Sequence, residues 1–260
     1  MPVDVRLGKK PAVKDMRVPR FGTHAAGLSP PPPAANWYAD VPDWGMLAND
    51  SVSCCFEAAV LHMILQMTSY VSPGHAPQPT DAEAIAFYSG ATGYVPGDPA
   101  TDQGTYLMGH GGGMEYWATT GVTCGGVLNR PTAILQLLAK DPVHWQQAIA
   151  TFGSLMIGIQ LPESVVSADE VPFVWDNPLG PFAGGHAVLL VGYQPTALGT
   201  LWDLVSWGTL YRTTTPFLMA TLDEAVCVYD KALINALGID PAGVDEATLV
   251  AAMDALRGIA

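Results

Sequence analysis

Charge, cysteine and long apolar runs are all in short supply. Four cysteines, at positions 54, 55, 124 and 227, are too few and too scattered for the disulfide scaffold of a small secreted domain. Adjacent Cys54 and Cys55 are badly placed to bridge each other, and the sequence leaves open whether Cys124 meets Cys227. No Cys-x-x-Cys or His-Glu-x-x-His spacing occurs, which argues against zinc, and no cofactor is expected. The longest apolar runs, Ser154 to Leu161 and Ala187 to Tyr193, are too short to cross a bilayer. The N-terminus lacks the apolar core of a signal peptide, so neither a membrane partner nor secretion by that route is expected. There is no internal repeat and no recognisable nucleic-acid module.

What is abundant forms cores and turns. Hydrophobic residues fill 49% of the 260 positions, enough for one substantial domain or two small lobes sharing a cleft. Charged residues are 13%, while 27 Gly and 22 Pro predict much irregular backbone between modest elements. The net charge of −13 is unevenly spread. Arg6, Lys9, Lys10, Lys14, Arg17 and Arg20 against Asp4 and Asp15 give residues 1–20 a charge of +4, leaving −17 on the rest. Such an arm docks on an acidic neighbour or nucleic acid, or lies over its own acidic body; the second is the simpler reading.

The chain is organised around the stretch from Asn49 to Met67. A polar turn leads to Cys55, and Phe56, Ala59, Val60, Met63, Ile64 and Met67 then follow the i, i+3, i+4, i+7 spacing of a helix with a buried face. A thiol placed where a helix begins faces unpaired backbone N–H groups and the positive end of the helix dipole, both of which favour thiolate. That is the setting of a nucleophile. His62 lies two turns along, about 10 Å away, so it reads as a packed or capping histidine rather than as that cysteine's base.

Residues 1–43 read as an extended strap: Ser29-Pro-Pro-Pro-Pro33 forces polyproline geometry, and Trp37, Tyr38 and Trp44 offer anchoring surfaces. Residues 44–260 form the domain, with a helical part over about 44–152, a sheet part over about 153–230 and a C-terminal helix over about 245–257. Thr80-Asp-Ala-Glu83 is a capping box opening a helix to about Gly90. Asp98 and Asp102 sit in a turn-rich loop too poor in ligands for calcium. Gly109-His-Gly-Gly-Gly113 is like the oxyanion loop of lipases, but no Gly-x-Ser-x-Gly elbow partners it and it is discounted. A weaker helix over Pro142–Thr151 precedes a strand at Ser154–Leu161. The clearest strand, Gly184–Tyr193, opens with His186 after two glycines that permit close backbone approach. Strands at Leu201–Ser206 and Ala225–Tyr229 follow.

Cys55, a histidine at the mouth of a strand, and a following strand closing on Ser206-Trp207-Gly208 resemble, in that order, the papain-like cysteine peptidases. The 131 residues between Cys55 and His186 fit the interval of about 130–150 seen in papain relatives. The resemblance implies an α+β fold in which a central helix headed by Cys55 packs against an antiparallel sheet carrying His186. It also implies Cys55 as nucleophile, His186 as proton acceptor and donor, and Asn49, six residues before Cys55, as an oxyanion donor. Trp207 would shield the histidine. Val205 stands where that family carries its orienting asparagine, which leaves Ser206 or Asp203; strand alternation puts these two on opposite faces, so only one of them can face His186. Cys54 makes the reacting thiol ambiguous, and spacing favours Cys55.

A second resemblance covers almost the whole chain. Arg6-Leu-Gly-Lys-Lys-Pro11, Trp44-Gly-Met-Leu-Ala-Asn-Asp50, Asp98 to Gly104, Gly184-Gly-His186, Ser206-Trp-Gly208, Asp223-Glu-Ala225 and Gly243-Val-Asp245 are similar to a family of phage and prophage proteins. Two functions follow: a phage-encoded hydrolase or transferase acting on an amide, chiefly a peptide bond, or a catalytically idle virion structural or accessory protein. The partners implied are a peptide or protein substrate, or other virion proteins, with a homo-oligomer left open. The setting implied is the host cytoplasm during infection, or the virion.

Overall fold

The computed structural model describes residues 5–25, 28–137, 140–167, 170–230, 247, 250, 251 and 254. The helix expected over 245–257 lies, apart from those last four positions, outside the described residues. The helices are α1 (Phe21–Ala25), α2 (Cys55–Val71), α3 (Asp81–Thr92), α4 (Gly113–Thr119), α5 (Pro142–Phe152), α6 (Glu163–Val166) and α7 (Thr215–Thr221). The strands are β1 (Ala35–Asn36), β2 (Val122–Cys124), β3 (Val127–Asn129), β4 (Ala133–Leu137), β5 (Leu155–Pro162), β6 (Val174–Trp175), β7 (Phe182–Thr196), β8 (Gly199–Ser206), β9 (Thr209–Thr214) and β10 (Leu222–Tyr229).

Helix α2 is enclosed on all sides over its first thirteen residues, as its nearly uninterrupted apolar sequence demands. Leu61, Met63 and Leu65 are fully buried, each contributing about 1.5–3 kcal/mol through burial. Its neighbour α3 starts where the sequence places it: the Thr80 side chain accepts from the Glu83 amide and the Glu83 carboxylate accepts from the Thr80 amide. Helix α2 packs on β7, the strand that carries His186, so the fold is α+β with a central helix against a large, mostly antiparallel sheet.

That sheet runs β4-β10-β5-β7-β8-β9-β6, with β1 added on β7. Strand β7 is fifteen residues long and shares itself out: its first part pairs with β5, placing Ile159 opposite His186, and its second part pairs with β8. Strands β8 and β9 are joined by the two-residue turn Trp207-Gly208, with Ser206 opposite Thr209. Both turn residues have positive φ, 47° and 68°, the left-handed pair that suits the right-handed twist of a hairpin. Gly125 and Gly126 make the same kind of turn between β2 and β3, a hairpin not anticipated above although Gly-Gly is its ordinary signal. Strand β4, inside the stretch expected to be helical, pairs with β10 and belongs to the sheet.

The strap lies on the body. The Trp37 indole donates to the Ile149 carbonyl, the Tyr38 hydroxyl to Asp203, and Trp44 meets His62 edge-on. Arg17 pairs with Glu115 at 2.8 Å. His62 Nε2–H donates to the Gly45 carbonyl, 3.0 Å away, and burial lowers its pKa to about 4, as befits a packed histidine. All four cysteines are free thiols. Among the described residues no helix is long and apolar enough to cross a membrane.

Candidate active site

The turn before α2 is held by a carboxylate from a distant loop. Asp102 accepts the Ser53 amide at 3.1 Å and the Tyr88 hydroxyl at 2.8 Å, while that hydroxyl accepts the Gly104 amide at 2.7 Å. With the turn fixed, the two adjacent thiols diverge. Cys54 Sγ lies 3.4 Å from the Leu47 carbonyl and packs in a small cluster with Ala48, Val52 and Tyr88. Cys55 Sγ faces the sheet and accepts the Ala187 amide at 3.5 Å, one residue beyond His186.

His186 is fully buried, with Nε2 2.7 Å from Ser206 Oγ and its ring stacked on Trp207 at 4.4 Å between centroids. Its Nδ1 is buried without a hydrogen-bond partner. Asp203 points elsewhere, toward the Tyr38 hydroxyl at 3.1 Å and Arg212 Nε at 3.3 Å, so of the two orienting candidates the structure brings only Ser206 to the imidazole. Leu47, Ala48 and Trp207 are the non-glycine residues with positive φ among those described. All three lie in the loops that present Asn49 and the indole, where stored backbone strain is most often found.

The strap passes between these walls. The Arg6 amide donates to the Asn49 carbonyl at 3.1 Å, and the Arg6 carbonyl accepts from both Asn49 Nδ2 and Trp207 Nε1 at 3.3 Å. Asn49 Nδ2 is also 3.2 Å from the Val52 carbonyl. Next along the strap, the Gly8 amide lies near the Cys55 sulfur and favours its thiolate form. The Thr105 amide donates to the Gly8 carbonyl at 2.7 Å, the Lys9 amide to the Gly185 carbonyl at 3.1 Å and the Lys10 amide to the Thr105 carbonyl at 2.9 Å. A Cβ on Gly8 would overlap the Ser53 carbonyl oxygen. Beneath this cover, burial raises the Cys55 thiol to about 12 and lowers His186 to about 3, so both groups are neutral at pH 7.

Glu57, two residues into α2 from Cys55, is a fully buried acid outside the motifs named above. Thr105 Oγ1 donates to Oε1 at 2.7 Å, Oε2 has no hydrogen-bond partner, and burial raises the pKa to about 8. A carboxyl whose folded pKa lies above its unfolded value near 4.5 contributes stability below pH 4.5 that is lost as pH rises to 8. Glu57→Gln should therefore raise the thermal midpoint at pH 8 by roughly 5–10 °C while changing it little at pH 4. Equal shifts at both pH values, read by calorimetry, would contradict the assignment.

No family model matches the sequence, and no curated protein matches it. Solved structures do match. Xylellain, a cysteine protease from Xylella fastidiosa, superimposes with a TM-score of 0.61 at 14% identity, covering 88% of this chain and 97% of that one. Digestive procathepsin L 3 of Tenebrio molitor larval midgut gives 0.58 at 11% identity over 88% and 77% of the two chains. Procathepsin B S9 from Trypanosoma congolense gives 0.55 at 12% over 86% and 87%. The chain has the papain-like cysteine protease fold.

Proposed function

We propose that the chain is a papain-like cysteine hydrolase of amide bonds, held with its cleft covered by its own N-terminal segment. The observation that carries this is a peptide carbonyl, that of Arg6, bound by two side-chain donors while the next amides lie across a cysteine beside a histidine. In this reading Cys55 attacks the carbonyl carbon, and His186 takes the thiol proton and gives it to the departing amine. Asn49 Nδ2 and the unpaired amide at the head of α2 hold the oxyanion. Water then cleaves the thioester. The chemistry needs Nδ1 as the basic nitrogen, and Ser206 Oγ, 2.7 Å from Nε2, serves that tautomer by accepting Nε2–H. The procathepsins above are pro-forms by name, and a strap across the cleft gives this chain a comparable covered state. The sequence motifs add a phage setting, in the host cytoplasm or on the particle.

One observation favours the idle alternative: with Cys55 and His186 both enclosed and neutral, the site as it stands does no chemistry. Fluorogenic peptide amides offered to a Gly8→Val variant separate the two readings. Amine release that disappears when Cys55→Ala is added supports the hydrolase; release at the same background rate in both supports an assembly role. In that case purified particles should contain the protein at fixed stoichiometry.

A further inference from the structure

We infer that the acidic pocket formed by Asp223 and Glu224 on β10, with Gly158 of β5 as its floor, is a subsite that selects a lysine side chain of a peptide or protein substrate. This rests on the amide-hydrolase reading. The Lys9 side chain fills the pocket in the covered state and is wholly enclosed, its Nζ 3.0 Å from Asp223 Oδ2, 3.0 Å from Glu224 Oε1 and 3.0 Å from the Lys10 carbonyl. Nζ donates to Asp223 Oδ2 and to the strap's own Lys10 carbonyl and pairs by charge with Glu224, a compact arrangement that suits an ammonium rather than the planar fork of a guanidinium.

The pocket is shaped for the four-carbon stem as well as for its charge. A Cβ at position 158 would overlap Lys9 Cε, and one at 185 would overlap the Lys9 carbonyl oxygen, so glycine at both places lets a lysine lie flush against the sheet. Gln160 Nε2 donates to Asp223 Oδ2 at 2.9 Å and fixes that carboxylate. Glu224 is 5% exposed, and Lys9 is the cation against it. When the strap leaves, two neighbouring acids lose the cation that the described residues place against them, a state relieved by proton uptake at Glu224 or by a substrate cation. The pocket lies directly beside the thiol, because Lys9 follows the residue whose amide meets Cys55 Sγ. The subsite therefore reads the residue next to the position held over the nucleophile.

Two experiments test this. In full-length Lys9→Ala, the thermal midpoint should fall, and n-propylammonium, which restores the missing three carbons and charge, should recover at least half of the loss while n-propanol recovers none. Equal recovery by the alcohol, or recovery that persists with Asp223→Asn and Glu224→Gln, overturns the pocket. In full-length Gly8→Val, a labelled Arg-Leu-Gly-Lys-Lys amide should bind at least tenfold more tightly than its counterpart with norleucine at the first lysine. Equal affinities, or no binding by either, overturns the subsite. A lysine preference in binding without any amine release would instead retain the pocket and remove the hydrolase. Should Gly8→Val fail to fold, the rescue of Lys9→Ala decides alone.

Discussion

Gly8→Val should let iodoacetamide reach Cys55 at a rate on the order of a hundredfold above that of the unmodified chain. The strap is held across the cleft by backbone hydrogen bonds from Arg6 to Lys10 and by the Lys9 ammonium between Asp223 and Glu224, each net contribution being on the order of 1 kcal/mol or somewhat more. Against these stands the ordering of five residues at about 1–2 kcal/mol each. The two sides nearly cancel, and an open form near 1% corresponds to a surplus of about 3 kcal/mol, since every 1.4 kcal/mol is a factor of ten. A side chain at position 8 collides with the Ser53 carbonyl, which Asp102 and Tyr88 hold in place, so the strap and not the turn must yield. Mass spectrometry of each cysteine makes the effect specific. Cys54, Cys124 and Cys227 are buried, Cys54 with its sulfur against the Leu47 carbonyl, and should keep their rates. Acceleration at all four would mean general loosening, and no acceleration at Cys55 would mean that the strap does not control access.

In the opened form the thiol should also titrate lower. Its value of about 12 is set first by burial, while the Ala187 and Gly8 amides and the Lys9 charge already pull the other way. With solvent admitted, the helix terminus and the Ala187 amide remain, so the apparent pKa from alkylation should fall below the ordinary thiol value of about 8.5. His186→Ala in the same background should raise it again.

The helix headed by Cys55, the capping box at Thr80 and the buried strand at His186 are legible because each is a local pattern: an apolar period, a cap, a continuous apolar run of strand length. The convergence of the site was legible only in part. Arg6-Leu-Gly-Lys-Lys, Asn49, Gly104, Gly184-Gly185, Ser206-Trp207-Gly208 and Asp223-Glu224 stand out in the sequence as separate motifs, and in the fold they surround one cleft. Nothing local announces that Lys9 and Asp223, 214 positions apart, will meet. The pairing depends on the strand order that places β10 beside β5 and β5 beside β7. Ser206 was half legible: alternation along β8 separates it from Asp203, but which face meets His186 depends on β7. Asp102 and Glu57 were missed because their partners, the Ser53 amide and the Thr105 hydroxyl, come from other segments.

Asn49→Ala, made in the Gly8→Val background, should lower kcat by a factor of 10² to 10³ with KM nearly unchanged, the effect of removing one oxyanion donor. The residue is buried, its loop is strained at Leu47 and Ala48, and its amide nitrogen already binds a peptide carbonyl in the covered state. A donor that served only the strap would have no such signature: its removal would open the cleft further and raise Cys55 labelling without lowering turnover. Trp207 Nε1 binds the same Arg6 carbonyl, so the two donors compete for the role. Trp207→Phe keeps the ring against His186 and removes only the N–H, which separates stacking from donation. A loss of kcat in Asn49→Ala but not in Trp207→Phe assigns the oxyanion to Asn49. The reverse pattern assigns it to the indole, and a change below threefold in both removes transition-state stabilisation from this cleft.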